Sequence, residues 1–143
     1  MAQLFVGTKS LVSDVYGMRF KSQFVNSLQD VIRERGAPTK LISDSAKEET
    51  SNKVKEILRY LMIPAWQSEP YHQHQNPAER RYQFIKETVN CIMDRTGSPP
   101  PELWLHAMKY VCYLLNHTSS TTLDDPTPLQ VLLGSTPDIS ELL

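Results

Sequence analysis

The apolar residues of this chain change their spacing near Ser22, and that change constrains the fold more than any other feature. Before it, Met1-Ala2-Gln3-Leu4-Phe5-Val6-Gly7 is a short apolar run closed by glycine. After a polar turn at Thr8-Lys9-Ser10, the segment Leu11 to Phe20 mixes β-branched and aromatic residues with charges. The two runs predict the antiparallel strands of a hairpin. Beyond Ser22 the period becomes helical: Phe24, Leu28, Val31 and Ile32 share one face, and Gly36 ahead of Ala37-Pro38 supplies the stop.

The alternation continues. Lys40-Leu41-Ile42-Ser43 predicts a brief strand ending at Asp44, and Val54, Ile57, Leu58, Leu61 and Met62 form the apolar stripe of a second helix. Ile63 to Gln67 predicts a last short strand, followed by a polar loop from Ser68 to Asn76 that carries His72 and His74. Asn76-Pro77 then opens a long helix, with asparagine at the cap, proline at the first position and Glu79 in the first turn. Its stripe is Ala78, Tyr82, Ile85, Val89 and Ile92. Gly97 and Pro99 to Pro101 end it, a further helix places Trp104, Ala107, Met108, Val111 and Leu115 inward, and Thr127 to Leu133 predicts one or two more helical turns. A hairpin followed by alternating helices and strands gives an α/β domain with a mixed sheet flanked by helices.

At 143 residues and 40% hydrophobic content the chain is expected to form a single domain, with 117–143 as a C-terminal extension. A net charge of −1 provides no global field toward DNA or an anionic membrane, so any nucleic-acid contact must come from local placement. Cys91 and Cys112 sit in apolar runs and read as small core residues of a reducing compartment. No segment resembles a signal peptide, and the apolar stretch around Tyr110 to Leu115 is far shorter than the ~20 residues of a membrane span. A soluble intracellular protein is expected. For such a protein the glycosylation triplet Asn116-His117-Thr118 carries no weight.

Two carboxylates stand where α/β folds gather ligands: Asp44 at the C-terminal end of a short strand, and Glu79 in the first turn of the long helix. Brought together they would repel unless a divalent cation neutralised them, as in two-metal phosphoryl-transfer sites. Asp44 as a turn residue and Glu79 as a helix-dipole partner is the competing account. Pattern alone does not separate the two.

The run Ile42-Ser43-Asp44-Ser45-Ala46-Lys47-Glu48, with Ser68-Glu69-Pro70-Tyr71-His72-Gln73-His74-Gln75-Asn76-Pro77-Ala78-Glu79-Arg80, resembles the integrase catalytic core of long-terminal-repeat retrotransposons, notably copia-like elements. The Gln-Asn-x-Ala-Glu-Arg string is the specific part. Trp104, Ala107, Tyr110, Asn116, Thr127-Pro128-Leu129, Gly134 and Pro137 are also similar to that family, so the resemblance spans nearly the whole chain. The 34 residues at positions 45–78 match the interval such integrases keep between their second and third acids. Ser45 and Ala46 depart from the asparagine and glycine that many members carry there.

The resemblance implies a ribonuclease-H-like fold in which Asp44 and Glu79 are the second and third catalytic carboxylates, holding Mg2+ or Mn2+ while a hydroxyl attacks a DNA phosphodiester. The first carboxylate has no counterpart. Asp14 is the only aspartate ahead of the first predicted helix, and the 29 residues at positions 15–43 cannot hold the intervening hairpin as well as a helix and a strand. Aligning Ala2 to Gly7 with the family's second strand and Leu11 to Phe20 with its third makes Asp14 an ordinary edge residue and implies a core lacking its first strand, with weak or no strand transfer. Two carboxylates satisfy magnesium's octahedral demand poorly.

By the same resemblance, DNA contacts fall to Gln83 and Lys86, one and two turns beyond Glu79 on its face, and to Arg80, His74 and Asn76. Arg81 reads as a surface charge beside the acid. His72 and His74 lack the further ligands of a zinc site, and no Gly-x-Ser-x-Gly elbow supports a serine hydrolase. DNA is the expected partner, a homodimer and a nuclear location are implied by the family alone, and no small-molecule substrate or membrane is expected. The rival account is a non-catalytic nucleic-acid-binding remnant of a transposable element.

Overall fold

Four short strands and five helices alternate along the chain in a computed structural model that describes residues 1–43, 51–67, 77–97 and 99–140. In order they are β1 (Ala2–Val6), β2 (Ser13–Gly17), α1 (Phe24–Arg35), β3 (Leu41–Ser43), α2 (Asn52–Tyr60), β4 (Ala65–Gln67), α3 (Pro77–Arg95), α4 (Trp104–Asn116) and α5 (Pro128–Leu133). Among the described residues the strands make two sheets, β1 with β2 and β3 with β4. The chain divides into two compact units. One comprises Met1–Gln3 and Tyr16–Arg80, the other Leu4–Val15 and Arg81–Leu143.

The hairpin is antiparallel in one register from end to end. Met1 and Met18 exchange bonds of 3.0 and 2.8 Å, and the Gly7 N–H donates to the Val12 carbonyl at 2.9 Å. A Cβ at Gly7 would meet Ser10 Oγ, so a larger residue at this corner would make that hydroxyl rotate away. The second strand is shorter than its sequence suggests. Leu11 takes the left-handed conformation (φ 60°) to close the turn, and Phe20, which the alternation would place in the strand, lies beyond it and is exposed.

In the first unit, α1 buries Phe24 and Leu28, and α2 buries Val54 and Leu58. Complete burial of each such side chain contributes roughly 1.5–3 kcal/mol. Gly36, at φ 84°, ends α1 by donating its N–H to the Ile32 carbonyl at 2.8 Å, as the sequence predicts. The end of α2 differs from expectation. Ile63 N–H reaches back to the Leu58 carbonyl at 2.8 Å and Met62 N–H to Arg59 at 3.2 Å, with Met62 left-handed at φ 54°. This is a Schellman stop, in which Ile63 and Leu58, at the apolar positions of the motif, are both buried while Met62 points outward, 90% exposed. The helical stripe therefore ends before Leu61 and Met62, because the reversal turns both away from the core.

Strands β3 and β4 are parallel, pairing Leu41 with Ala65, Ile42 with Trp66 and Ser43 with Gln67. Parallel pairing needs a crossover, which the segment containing α2 provides. Lys40 Nζ sits 5.0 Å from the centre of the Trp66 ring, a cation–π contact on the open side of β4.

In the second unit the core is Leu4, Val12, Val15, Ile85, Val89, Met108, Val111, Cys112 and Leu129. Asn116 joins it as a buried polar residue. Its Oδ1 accepts from Ser13 N–H at 2.8 Å and its Nδ2 donates to the Ser13 carbonyl at 2.9 Å. The side-chain amide thereby takes the place of a neighbouring strand at that edge of β2, which would otherwise expose a template for pairing. Helix α5 starts as predicted: the Thr127 hydroxyl accepts from Gln130 N–H at 3.1 Å, and Pro128 is the first helical residue. Cys112 is buried as expected, but Cys91 is exposed. On α3, Cys91 lies off the stripe that runs through Ile85 and Val89, so proximity to apolar neighbours in sequence did not make it a core residue.

Candidate active-site helix

Helix α3 presents the residues on which a catalytic reading rests. Its 19 residues bury Ile85 and Val89 completely and leave Glu79, Arg80, Gln83 and Lys86 exposed. At roughly 100° per residue, Glu79, Gln83 and Lys86 fall within about 60° of one another. One solvated face thus carries a carboxylate, a carboxamide and an ammonium in succession. Glu79 lies in the first turn, where the positive end of the helix dipole favours its negative charge. Gln83 Nε2 donates to Glu87 Oε1 at 2.8 Å, an i,i+4 bond that orients the carboxamide along the helix.

Among the described residues, no three His, Cys, Asp or Glu side chains converge to hold a metal ion. Asp44 follows Ser43, the last residue of β3, and lies outside the described residues, as do His74 and Asn76. Ser43 and Gln67, the last residues of β3 and β4, pair at the C-terminal ends of the two parallel strands. Open ends of parallel strands are where α/β folds place ligands. The groove of about 510 Å³ between α1 and α2, lined by Ile32, Arg33, Glu56, Ile57 and Tyr60 among others, contains none of the candidate catalytic or DNA-binding residues.

Two residues with structural weight escaped the sequence reading. Arg81, read as a surface charge, is half-buried, and its Nε donates to Ser13 Oγ at 3.1 Å. Burial pulls its guanidinium below its ordinary pKa, opposed by the nearby Cys112. Asn116 gave a signal that went unused: it continues the i, i+4 row through Met108 and Cys112, so a polar side chain stood on a buried stripe. Burial, with a further push from Asp14, raises the Cys112 thiol to about 12, which keeps it protonated and unreactive at neutral pH.

No family model and no curated protein sequence matches this chain. Solved structures do. The HTLV-2 integrase catalytic core domain in complex with magnesium superposes in its trimeric form with a TM-score of 0.74 at 17% identity, covering 92% of this chain and 83% of that one. The fold is that of an integrase catalytic core. The dimeric form of the same HTLV-2 domain gives 0.70 at 16% identity, over 91% of this chain and 81% of that one. A chain of the simian T-cell lymphotropic virus intasome, in complex with PP2A regulatory subunit B56 gamma, gives 0.75 at 20% identity over 96% of this chain. The present chain spans about half, 49%, of that simian chain. Among the described residues, no helix is long and apolar enough to cross a membrane.

Proposed function

We propose that this chain is most of a retroelement integrase catalytic core, of ribonuclease-H-like fold and copia-like origin, whose chemistry is divalent-metal-dependent strand transfer on DNA. The observation that carries the reading is Glu79, exposed in the first turn of a helix whose same face bears Gln83 and Lys86, within an integrase-core fold. A hard cation needs accessible carboxylate oxygen, and Glu79 fits that requirement. Asp44 and Glu79 would hold Mg2+ or Mn2+, which supplies Lewis-acid polarisation of the phosphoryl oxygen when bound. Lys86 neutralises a DNA phosphate, Gln83 reaches a sugar or base edge, and Arg80, His74 and Asn76 line the approach. The whole chain acts as one domain, and DNA places its work in the nucleus.

A thermal-shift titration tests this. Manganese should raise the melting temperature of the parent protein, by about 2.7 kcal/mol of linkage at a hundredfold excess over Kd. Glu79→Gln should abolish the rise. Absence of any shift in the parent favours the non-catalytic remnant; the net charge of −1 argues against tight, unaided duplex binding under either account, since duplex affinity rests on phosphate neutralisation. In an oligonucleotide joining assay with magnesium or manganese, activity should be weak or absent, and robust joining would refute the loss of the first carboxylate.

A further inference from the structure

The first turn of α3 is weakly packed. Ala78 is half-buried, Glu79 and Arg80 are exposed, Arg81 and Tyr82 are half-buried, and the first fully buried residue is Ile85. Helix ends are held less firmly where few of their side chains are buried, because most helical stability comes from tertiary packing. Apolar burial therefore secures the middle of α3 better than the turn that carries Glu79.

A chain of hydrogen bonds reaches that turn from elsewhere in the fold. Ser13 is completely buried, and its backbone is held by the Asn116 amide through bonds of 2.8 and 2.9 Å. Its hydroxyl donates to the Leu11 carbonyl at 3.1 Å. With its only proton committed, Ser13 Oγ turns its lone pairs outward as an acceptor, and Arg81 Nε donates to it at 3.1 Å. Arg81 lies about 200° around the helix from Glu79, nearly opposite the face shared with Gln83 and Lys86. A pin at that position sets the rotation of the turn without occupying the exposed face.

We propose that Arg81 is a positioning residue: anchored through Ser13 and Asn116, it holds the first turn of α3 in the one rotation that presents Glu79. The assignment rests on the reading of Glu79 as a metal ligand, although the pin itself can be measured without metal. The positive charge is incidental to this role, and the donor at the Nε position is what matters. Glutamine carries an N–H donor at the same distance from the backbone and no charge, whereas leucine lacks both.

The test compares the full chain with Arg81→Gln, Arg81→Leu, Ser13→Ala and Glu79→Gln. Manganese affinity is followed by electron paramagnetic resonance, and exchange is followed at the amides of residues 81–84, the first to donate within the helix. Loss of this one hydrogen bond should speed that exchange on the order of tenfold in Arg81→Leu and Ser13→Ala and weaken manganese binding by a similar factor. Arg81→Gln should match the parent in both. Equal losses in Arg81→Gln and Arg81→Leu would assign the effect to charge and overturn the proposal. Parent-like exchange in Arg81→Leu and Ser13→Ala would overturn it as well. Unaltered manganese binding in Glu79→Gln would instead refute the metal reading, leaving the exchange measurements to judge the pin. An amide outside α3, that of Leu58 in the interior of α2, reports any general loss of folding.

Discussion

The two units are stabilised in different ways. The first relies on apolar stripes closed by backbone devices: Phe24, Leu28, Val54 and Leu58 are buried, a positive-φ glycine ends α1, and a Schellman turn ends α2. The second has a larger apolar core with a polar joint inside it, where Asn116, Ser13 and Arg81 link α4, β2 and α3. Apolar contacts are non-directional and tolerate small displacements, whereas a buried amide paired with one residue's N–H and C=O is satisfied in one register only. The unit that carries most of the candidate helix is thus the one whose geometry is specified by hydrogen bonds.

The sharpest way to break the contrast is Asn116→Ala. It strands the Ser13 N–H and carbonyl, each costing roughly 1–3 kcal/mol when buried without a partner, so a loss of about 4 kcal/mol is expected in urea denaturation. Native-state exchange in that variant should rise at β2 and α4 well before α1 and α2, and uniform loosening would show that the units do not differ as described.

Alkaline titration gives a smaller effect confined to the second unit. The folded Cys112 thiol titrates near 12, above its ordinary value of 9.0, so the unfolded chain releases its proton first. The stabilisation is therefore full below the ordinary value and is lost as pH rises from there through about 12. Cys112→Ala should flatten that decline. At neutral pH one thiol, Cys91, should react with a disulfide reagent in the native protein and a second only on unfolding, since Cys91 is exposed and Cys112 buried.

The smallest effect belongs to the first unit. Met62 occupies a left-handed position at φ 54°, which costs a non-glycine residue roughly 1 kcal/mol. Met62→Gly should raise stability by about that amount in thermal denaturation, with no change in manganese binding. A decrease would mean that the exposed methionine side chain contributes packing absent from the present geometry.

Much of the fold was legible. The hairpin, the positions of all five helices and both short later strands followed from apolar period and from the punctuation of Gly36, Pro77, Pro99 to Pro101 and Thr127-Pro128. What failed did so for a local reason. Met62 fits the helical period, but the backbone reverses at Met62 itself, at φ 54°, and turns it outward. Cys91 has apolar neighbours in sequence, yet burial on a helix depends on angle. At the candidate site, Glu79, Gln83 and Lys86 shared a face as their spacing requires, because helical geometry is local and nearly invariant. Asp44, His74 and Asn76 lie outside the described residues.

By itself the sequence determined which segments become strands or helices, and that an acid, an amide and a lysine line one helical face. Those properties depend on neighbours a few positions apart, whose interactions the chain encodes directly. Only the tertiary structure decided that Arg81 turns inward to Ser13 and that Asn116 closes β2 across 103 positions. A bond between distant residues exists only once packing has brought them together, so no spacing along the chain announces it.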